Sequence, residues 1–401
     1  MWRGLRGHRD VTLLLGASLV SQTGDWVLGV GLAFEVFALT GSTLASAAVM
    51  LATQVPLAVL GSVAGVVVDR GDRRRIMIGA NLASAALVWP LVLVRGAGDA
   101  WIIVMVVALT SVVSPFFVAA EASLLPSLVP DQAGLIRVNA LNAQVRNGAR
   151  LIGAALGGVV VGIGGLGGLA AADAVSFVAA AALLLAIRHR SPAADRADRL
   201  HLIDDWREGV AVIRRSRVLL VVVAFFVLTG VGEGTMGTLF APFVDDVLGG
   251  TVGLYGAILS AQAVGGIVGG LVITILGPRI RPRALFTWGA LAFGLLDLAL
   301  FLYPLLDPAA WPAFALIAIV GLPGAAVTAG VLTLFQSATS DRDRGRVFGS
   351  LTSLQNAAML LSTAAAGALA TPLGIIPVIC TQGAVYVVVA GVALVGLRSR
   401  A

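Results

Sequence analysis

Residues 24–43 read Gly24-Asp25-Trp26-Val27-Leu28-Gly29-Val30-Gly31-Leu32-Ala33-Phe34-Glu35-Val36-Phe37-Ala38-Leu39-Thr40-Gly41-Ser42-Thr43, and the chain returns to the same frame 208 residues later. Gly24-Asp25 falls on Gly232-Glu233, while Gly41, Thr43, Gln54, Gly61, Arg73 and Arg75 fall on Gly249, Thr251, Gln262, Gly269, Arg281 and Arg283. Pro115 falls on Pro323 at the same offset, and at 209 residues Arg137-Val138 and Asn147 fall on Arg346-Val347 and Asn356. Identities at this density mark a duplicated unit whose two copies run parallel. Parallel repeats related by an axis along the membrane normal set a substrate site near the bilayer midplane, and rocking of one half against the other gives alternating access. The duplication points to a transporter without naming a cargo.

The duplicated unit is a bundle of membrane helices. Of the 401 residues, 58% are hydrophobic and only 12% charged, about half the charged share of a soluble domain. Apolar runs centre near residues 25, 57, 85, 111, 151 and 177 and again near 231, 264, 294, 323, 359 and 386, each long enough for a crossing of about 20 residues. The expected fold is all-α and integral to the membrane: twelve transmembrane helices in two pseudo-symmetric six-helix bundles, 1–187 and 218–401. The charged stretch 188–217 reads as a cytoplasmic linker, in which Leu202, Trp206, Val210 and Ile213 recur at the spacing of an amphipathic helix lying on the inner leaflet. The 49 glycines suit helices that must approach closely in lipid.

Whole classes of function are excluded by what the chain lacks. All 27 basic residues are arginine, so no G-x-x-x-x-G-K-S/T phosphate loop exists and ATP cannot drive transport through this chain. A single cysteine, Cys380, excludes an intrachain disulfide framework and any multi-cysteine metal site. His8, His189 and His201 all fall in polar segments, which leaves no haem or His-based metal centre inside the membrane. With no plausible catalytic triad either, the chain reads as neither an enzyme nor a cofactor protein. The sequence pI of 10.8 does not indicate nucleic acid, because the arginines form short clusters between apolar runs, as membrane topology requires. Every arginine except Arg95 lies on the side that an even number of spans shares with both termini, which the positive-inside rule places in the cytoplasm. The lysine-free, Ala-, Gly- and Val-rich composition suggests a bacterial source, hence the inner membrane.

Gly65-Val66-Val67-Val68-Asp69-Arg70-Gly71-Asp72-Arg73-Arg74 resembles the G-x-L-A-D-R-x-G-R-R loop that follows the second span in the major facilitator superfamily. Val67, Val68 and Asp72 replace its Leu, Ala and second Gly. Gly65 would permit close helix approach, Asp69 would accept arginine donors or a helix N-terminus, and Arg70, Arg73 and Arg74 would hold the inner surface. The resemblance implies that these residues form a latch stabilising the outward-facing state. Gly153-Ala154-Ala155-Leu156-Gly157-Gly158 resembles the superfamily's G-P-x-x-G-G antiporter signature without its proline, a spacing that tight helix packing also demands. Ser21-Gln22-Thr23-Gly24-Asp25-Trp26, Leu39-Thr40-Gly41-Ser42, Leu124-Leu125-Pro126-Ser127-Leu128-Val129-Pro130, Asn139-Ala140-Leu141-Asn142 and Arg344-Gly345-Arg346-Val347-Phe348-Gly349 are similar to the efflux branch that includes macrolide and enterobactin exporters. That branch implies a monomer exporting amphipathic, drug- or siderophore-like molecules. The alternatives are a lipid or lysolipid transporter of the same fold, and a non-transporting sensor or scaffold.

A charge in hydrocarbon costs roughly 2.5–3.5 kcal/mol on insertion scales and so needs a reason. Asp25 stands mid-way along the first span, with Gln22 and Gly29 on its helical face, and Glu233 holds the equivalent place in the seventh. The resemblance implies that the first, fourth, seventh and tenth spans line the cavity, so the two acids are expected to face the path and carry protons. Arg150, deep in the fifth span, needs an anion. Asn139, Arg146 and Arg150 share a stripe, and Glu121 near the inner end of the fourth span is placed to reach Arg146, leaving Arg150 for Asp25 or for cargo. Glu35, near the outer end of the first span, reads as a solvated helix end or a residue of the outer mouth, and Asp173 near the outer start of the sixth span reads as a cap or packing partner. Asp297 in the ninth span has no functional reading.

Overall fold

The computed structural model describes residues 9–129, 132–188, 211–307, 309–340 and 343–397. Leu202, Trp206 and Val210 of the expected linker helix, and the three histidines, lie outside them. Among the described residues all regular structure is helical: α1 (Arg9–Thr40), α2 (Thr43–Arg70), α3 (Arg73–Leu87), α4 (Ala100–Ser127), α5 (Gln132–Leu185), α6 (Arg217–Pro242), α7 (Val252–Leu276), α8 (Pro282–Leu302), α9 (Trp311–Ala338), α10 (Arg344–Leu373), α11 (Ile375–Ile379) and α12 (Thr381–Gly396), with short 3-10 and π turns between some of them.

Eleven segments among the described residues are long and apolar enough to cross a bilayer. The longest, Arg137–Leu185, has 49 residues, about 70 Å of helix against roughly 30 Å of hydrocarbon. Gly165, at φ 57° and ψ −151°, breaks it. The segment is therefore two crossings joined at one glycine, and the apolar segments amount to twelve spans. The duplicated sequence also sets how two spans end. Gly41 and Gly249, matched across the repeat, both take left-handed backbone with φ 60° and 58°, and the Gly41 N–H donates to Phe37 O at 2.7 Å to close α1. A glycine in this conformation just past the last turn satisfies an orphan carbonyl without the Cβ penalty other residues meet.

The chain forms two compact units. The first comprises Met1–Gly41, Ala48–Asp198 and Thr251–Ser260, the second Ser42–Ala47, Arg199–Gly250 and Ala261–Ala401. In the first, Leu14, Met77, Ala120, Leu124 and Leu184 meet in the core. In the second, Phe286, Val347, Leu351, Val389 and Ile213 do so. Ile213, the described residue among those expected in the linker helix, packs in this core. Thr43 Oγ1 donates to Gly367 O at 2.8 Å inside the second unit, and Tyr255 packs its ring 6.0 Å from that of Phe34 inside the first. Large apolar side chains remain exposed along the spans, among them Val175, Leu271 and Leu361, as expected of surfaces that meet acyl chains rather than water.

Candidate functional site

Asp25 lies at the wall of a cavity of about 270 Å³ inside the first unit. The cavity-facing stripe of α1 is Ser21, Asp25, Leu28, Gly29 and Leu32, the i, i+3, i+4 pattern of one helical face. Facing it are Asn81 and Ser84 of α3 and Thr110, Ser111 and Ser114 of α4, with Thr53 of α2. One acid therefore shares a concave surface with hydroxyls and an amide, while Met50, Phe117 and Phe177 supply apolar wall. Ser21 Oγ donates to Asn81 Oδ1 at 3.1 Å, and Asn81 Nδ2 donates to Met77 O at 3.1 Å, so the amide is held from both ends. Such a surface suits a cation or a hydrogen-bonding head group attached to an apolar body.

The glycines of the antiporter-like stretch set where Asp25 stands. A Cβ on Gly153 would lie 2.7 Å from Thr23 O, and one on Gly157 would lie 3.0 Å from Val27 O, so the α5 backbone presses on the α1 turn that carries Asp25. A Cβ on Gly158 would instead lie 2.6 Å from Gly253 Cα. One turn before Gly153, Arg150 lays its guanidinium over the Trp26 ring, 5.4 Å from the centroid. A guanidinium over an indole face is an electrostatic attraction in its own right.

Other expected residues are placed elsewhere. Glu121 is 1% exposed and does not line the cavity. It accepts from Ser18 Oγ and, at 3.4 Å, from Arg146 Nη2, the ion pair expected from the sequence. Gln22 and Glu35 are half-buried on α1 and also stand outside the cavity wall. Ser21 takes the place on that face assigned to Gln22, because neighbouring helical positions differ by about 100°. Glu233, on α6 of the second unit, is exposed and accepts from Gln355 Nε2 at 3.3 Å. Near it, Asp297 is 3% exposed and takes a hydrogen bond from the Gln382 amide.

In the loop between α2 and α3, Arg73 Nη1 donates to Ser123 O at 3.1 Å and Arg74 Nε donates to Leu184 O at 2.8 Å. These arginines tie the loop to the ends of α4 and α5. Asp69 is half-buried and Arg70 exposed. A Cβ on Gly65 would meet no atom within 4 Å, so the close approach expected there is not made among the described residues. Asp72, the departure from the loop signature, has a local role: its carboxylate accepts from the Arg75 N–H at 3.1 Å and caps α3. The polar residues of α3 and α4 are the part of the site that sequence reading missed. Asn81 and Ser84, and Thr110 and Ser114, interrupt apolar spans at one-turn spacing, a signal that periodicity could have supplied.

Of the two readings for Asp173, a cap or a packing partner, the structure shows the second. Asp173 stands eight residues past the break at Gly165, about 12 Å into its span, and packs against Gly24 of α1. It is a buried mid-span acid and not an outer cap.

Residues 7–400 match the family model described as transmembrane secretion effector. The chain is 30% identical over 397 residues to the multidrug efflux pump Tap of Mycobacterium tuberculosis, covering 92% of this chain and 91% of that protein. It is 26% identical over 345 residues to macrolide efflux protein A of Streptococcus pyogenes, covering 85% and 84%. Among solved structures, a bacterial homologue of the iron transporter ferroportin superposes with a TM-score of 0.78 at 16% identity, over 98% of this chain and 99% of that one. The nucleoside transporter NupG gives 0.75 at 14% identity, over 96% and 100%.

Proposed function

The chain belongs to the transmembrane secretion effector family of major facilitator transporters, and on that premise we propose that it is a proton-coupled exporter of amphipathic small molecules. It works as a monomer in a bacterial inner membrane with both termini in the cytoplasm. The observation that carries the coupling is the place of Asp25: an acid on a mid-span turn, at the wall of a cavity that hydroxyls and an amide share with apolar side chains, where one carboxyl can meet water, a proton and a cationic group in turn. A carboxylate in that wall attracts a cationic cargo head, a carboxylic acid does not, and alternation between the two states links cargo to proton. A cavity of about 270 Å³ is smaller than the roughly 300–1,000 Å³ that enclose a drug-sized ligand, so it accommodates a head group. Relatives named for multidrug and macrolide efflux support cargo of that kind, since macrolides join an amine-bearing sugar to a large apolar ring.

The test uses proteoliposomes loaded with erythromycin or ethidium and an imposed pH gradient. Wild-type protein is expected to accumulate the compound against its gradient, and Asp25→Asn to lose accumulation while retaining exchange without a gradient. Undiminished gradient-driven accumulation by Asp25→Asn would remove Asp25 from the coupling.

A further inference from the structure

Behind Asp25 lies a second carboxyl that the reading above leaves unused. Asp173 is 0% exposed. A Cβ on Gly24 would lie 2.6 Å from its Oδ1, so the carboxyl touches the backbone of the residue that precedes Asp25. Ser176 Oγ, 3.4 Å from Oδ1, also donates to the Asp173 carbonyl at 2.9 Å. Oδ2 has no hydrogen-bond partner.

Among the described residues, no group of opposite charge acts on it. From α1, the charged side chain that acts on Asp173 is Asp25, a like charge. From α3, which also packs on this helix, Arg74 binds the carbonyls of Leu184 and Leu185, about 16 Å further along. An ionised carboxylate here would be a buried charge with one long hydrogen bond and a like-charged neighbour, which low-dielectric surroundings disfavour strongly. A protonated acid carries no such penalty.

The repeat supplies independent support. The residue 209 positions after Asp173 is Gln382, in the same relation to the second unit's exposed acid. Its Oε1 packs on Gly232, the residue before Glu233, and like Asp173 Oδ2 is buried without a partner. The duplicated pocket holds a neutral amide in one copy, and a carboxylic acid is the neutral counterpart in the other.

We propose that Asp173 is a proton-holding group of the transport cycle, a carboxylic acid that exchanges its proton with Asp25. In the exchange the O–H bond at Asp173 breaks as one forms at the Asp25 carboxylate, and the negative charge moves from Asp25 to Asp173. The proton returns to Asp173 by the reverse route, and Asp25 takes up protons from cavity water or yields them to it only while Asp173 holds its own. Burial makes the charged form of Asp173 short-lived, so the pair carries one negative charge at most. This rests on Asp25 being the coupling group.

Infrared spectra of the purified full-length protein separate the C=O stretch of a protonated carboxylic acid from carboxylate bands. At neutral pH the wild type is expected to show a protonated-acid band that Asp173→Asn removes; Asp173→Glu keeps a protonated acid and shifts its band, which covers the case of an Asn variant that does not fold. Spectra in which residue 173 contributes a carboxylate would overturn the proposal. In erythromycin or ethidium proteoliposomes, Asp173→Asn is expected to cut gradient-driven accumulation about tenfold or more and to leave gradient-free exchange at the wild-type level. A wild type that accumulates neither compound sinks the coupling reading and this proposal together, whereas a coupled wild type and an equally coupled Asp173→Asn sink this proposal alone.

Discussion

Four acids inside the first unit meet four different environments, and their roles follow from what each touches. Glu121 has a hydroxyl and a guanidinium on its two oxygens. Asp25 opens onto a polar cavity, and Asp173 is sealed behind it. Glu35 stands ten residues beyond Asp25 on α1, about 15 Å along the helix. Removing the Arg146 side chain would leave the Glu121 carboxylate in a buried place without its cation. Because Arg146 is itself half exposed, the expected loss in Arg146→Ala is about 1–3 kcal/mol, below the roughly 3–5 kcal/mol of a fully buried pair. Thermal unfolding in detergent measures it, and Glu121→Gln combined with Arg146→Ala should recover part of the loss. The Glu121–Arg146 pair was legible in the sequence because i, i+4 and i, i+7 stripes fix faces on two neighbouring spans. Asp173 was not, since its depth depends on where Gly165 breaks a 54-residue helix, and a run of small residues gives no sharp boundary.

At the scale of helices, glycine decides how spans end and how closely they meet. Gly41→Ala and Gly249→Ala should each cost about 1–2 kcal/mol, the penalty of a Cβ in left-handed backbone, although neither Cβ would collide with any atom. Unfolding midpoints of the two variants check this. Gly153→Leu is expected to have a different effect. Its side chain would be driven into Thr23 O and the Trp26 side chain, forcing α5 from α1 and displacing Asp25, and such overpacking typically costs 1–3 kcal/mol or more. Transport should fall further than stability, a difference that parallel flux and unfolding measurements resolve. Matching Gly41 to Gly249 across the repeat anticipated both helix ends, because a positive-φ stop demands the same residue in each copy. The loop after α2 was only partly legible: Arg73 and Arg74 hold the ends of neighbouring helices, but Asp72 caps α3 where the signature has glycine.

For the molecule as a whole, duplication explains both the architecture and the doubled acid. Each unit has an exposed carboxylate preceded by glycine, and a buried polar side chain packed on that glycine: Asp25, Gly24 and Asp173 in one, Glu233, Gly232 and Gln382 in the other. The copies have diverged in side-chain length and charge, so in the proton-coupled cycle proposed above each contributes differently. The twelve spans and their two-fold organisation could be read from hydropathy and the offset of 208 residues. The cavity could not, because it is made of serines and threonines scattered over four helices, none of which stands out alone.

The account depends on Asp25 meeting water and not acyl chains. Cys380 is the sole cysteine of the chain, so Cys380→Ser provides a background in which single cysteines can be placed at will. Labelling Asp25→Cys with a charged maleimide in membranes, beside Val175→Cys on an apolar face that is 68% exposed, measures the contact directly. Rapid labelling at residue 25 and slow labelling at residue 175 is the expected result. Equal, slow labelling at both would contradict the account, because residue 25 would then face lipid as residue 175 does.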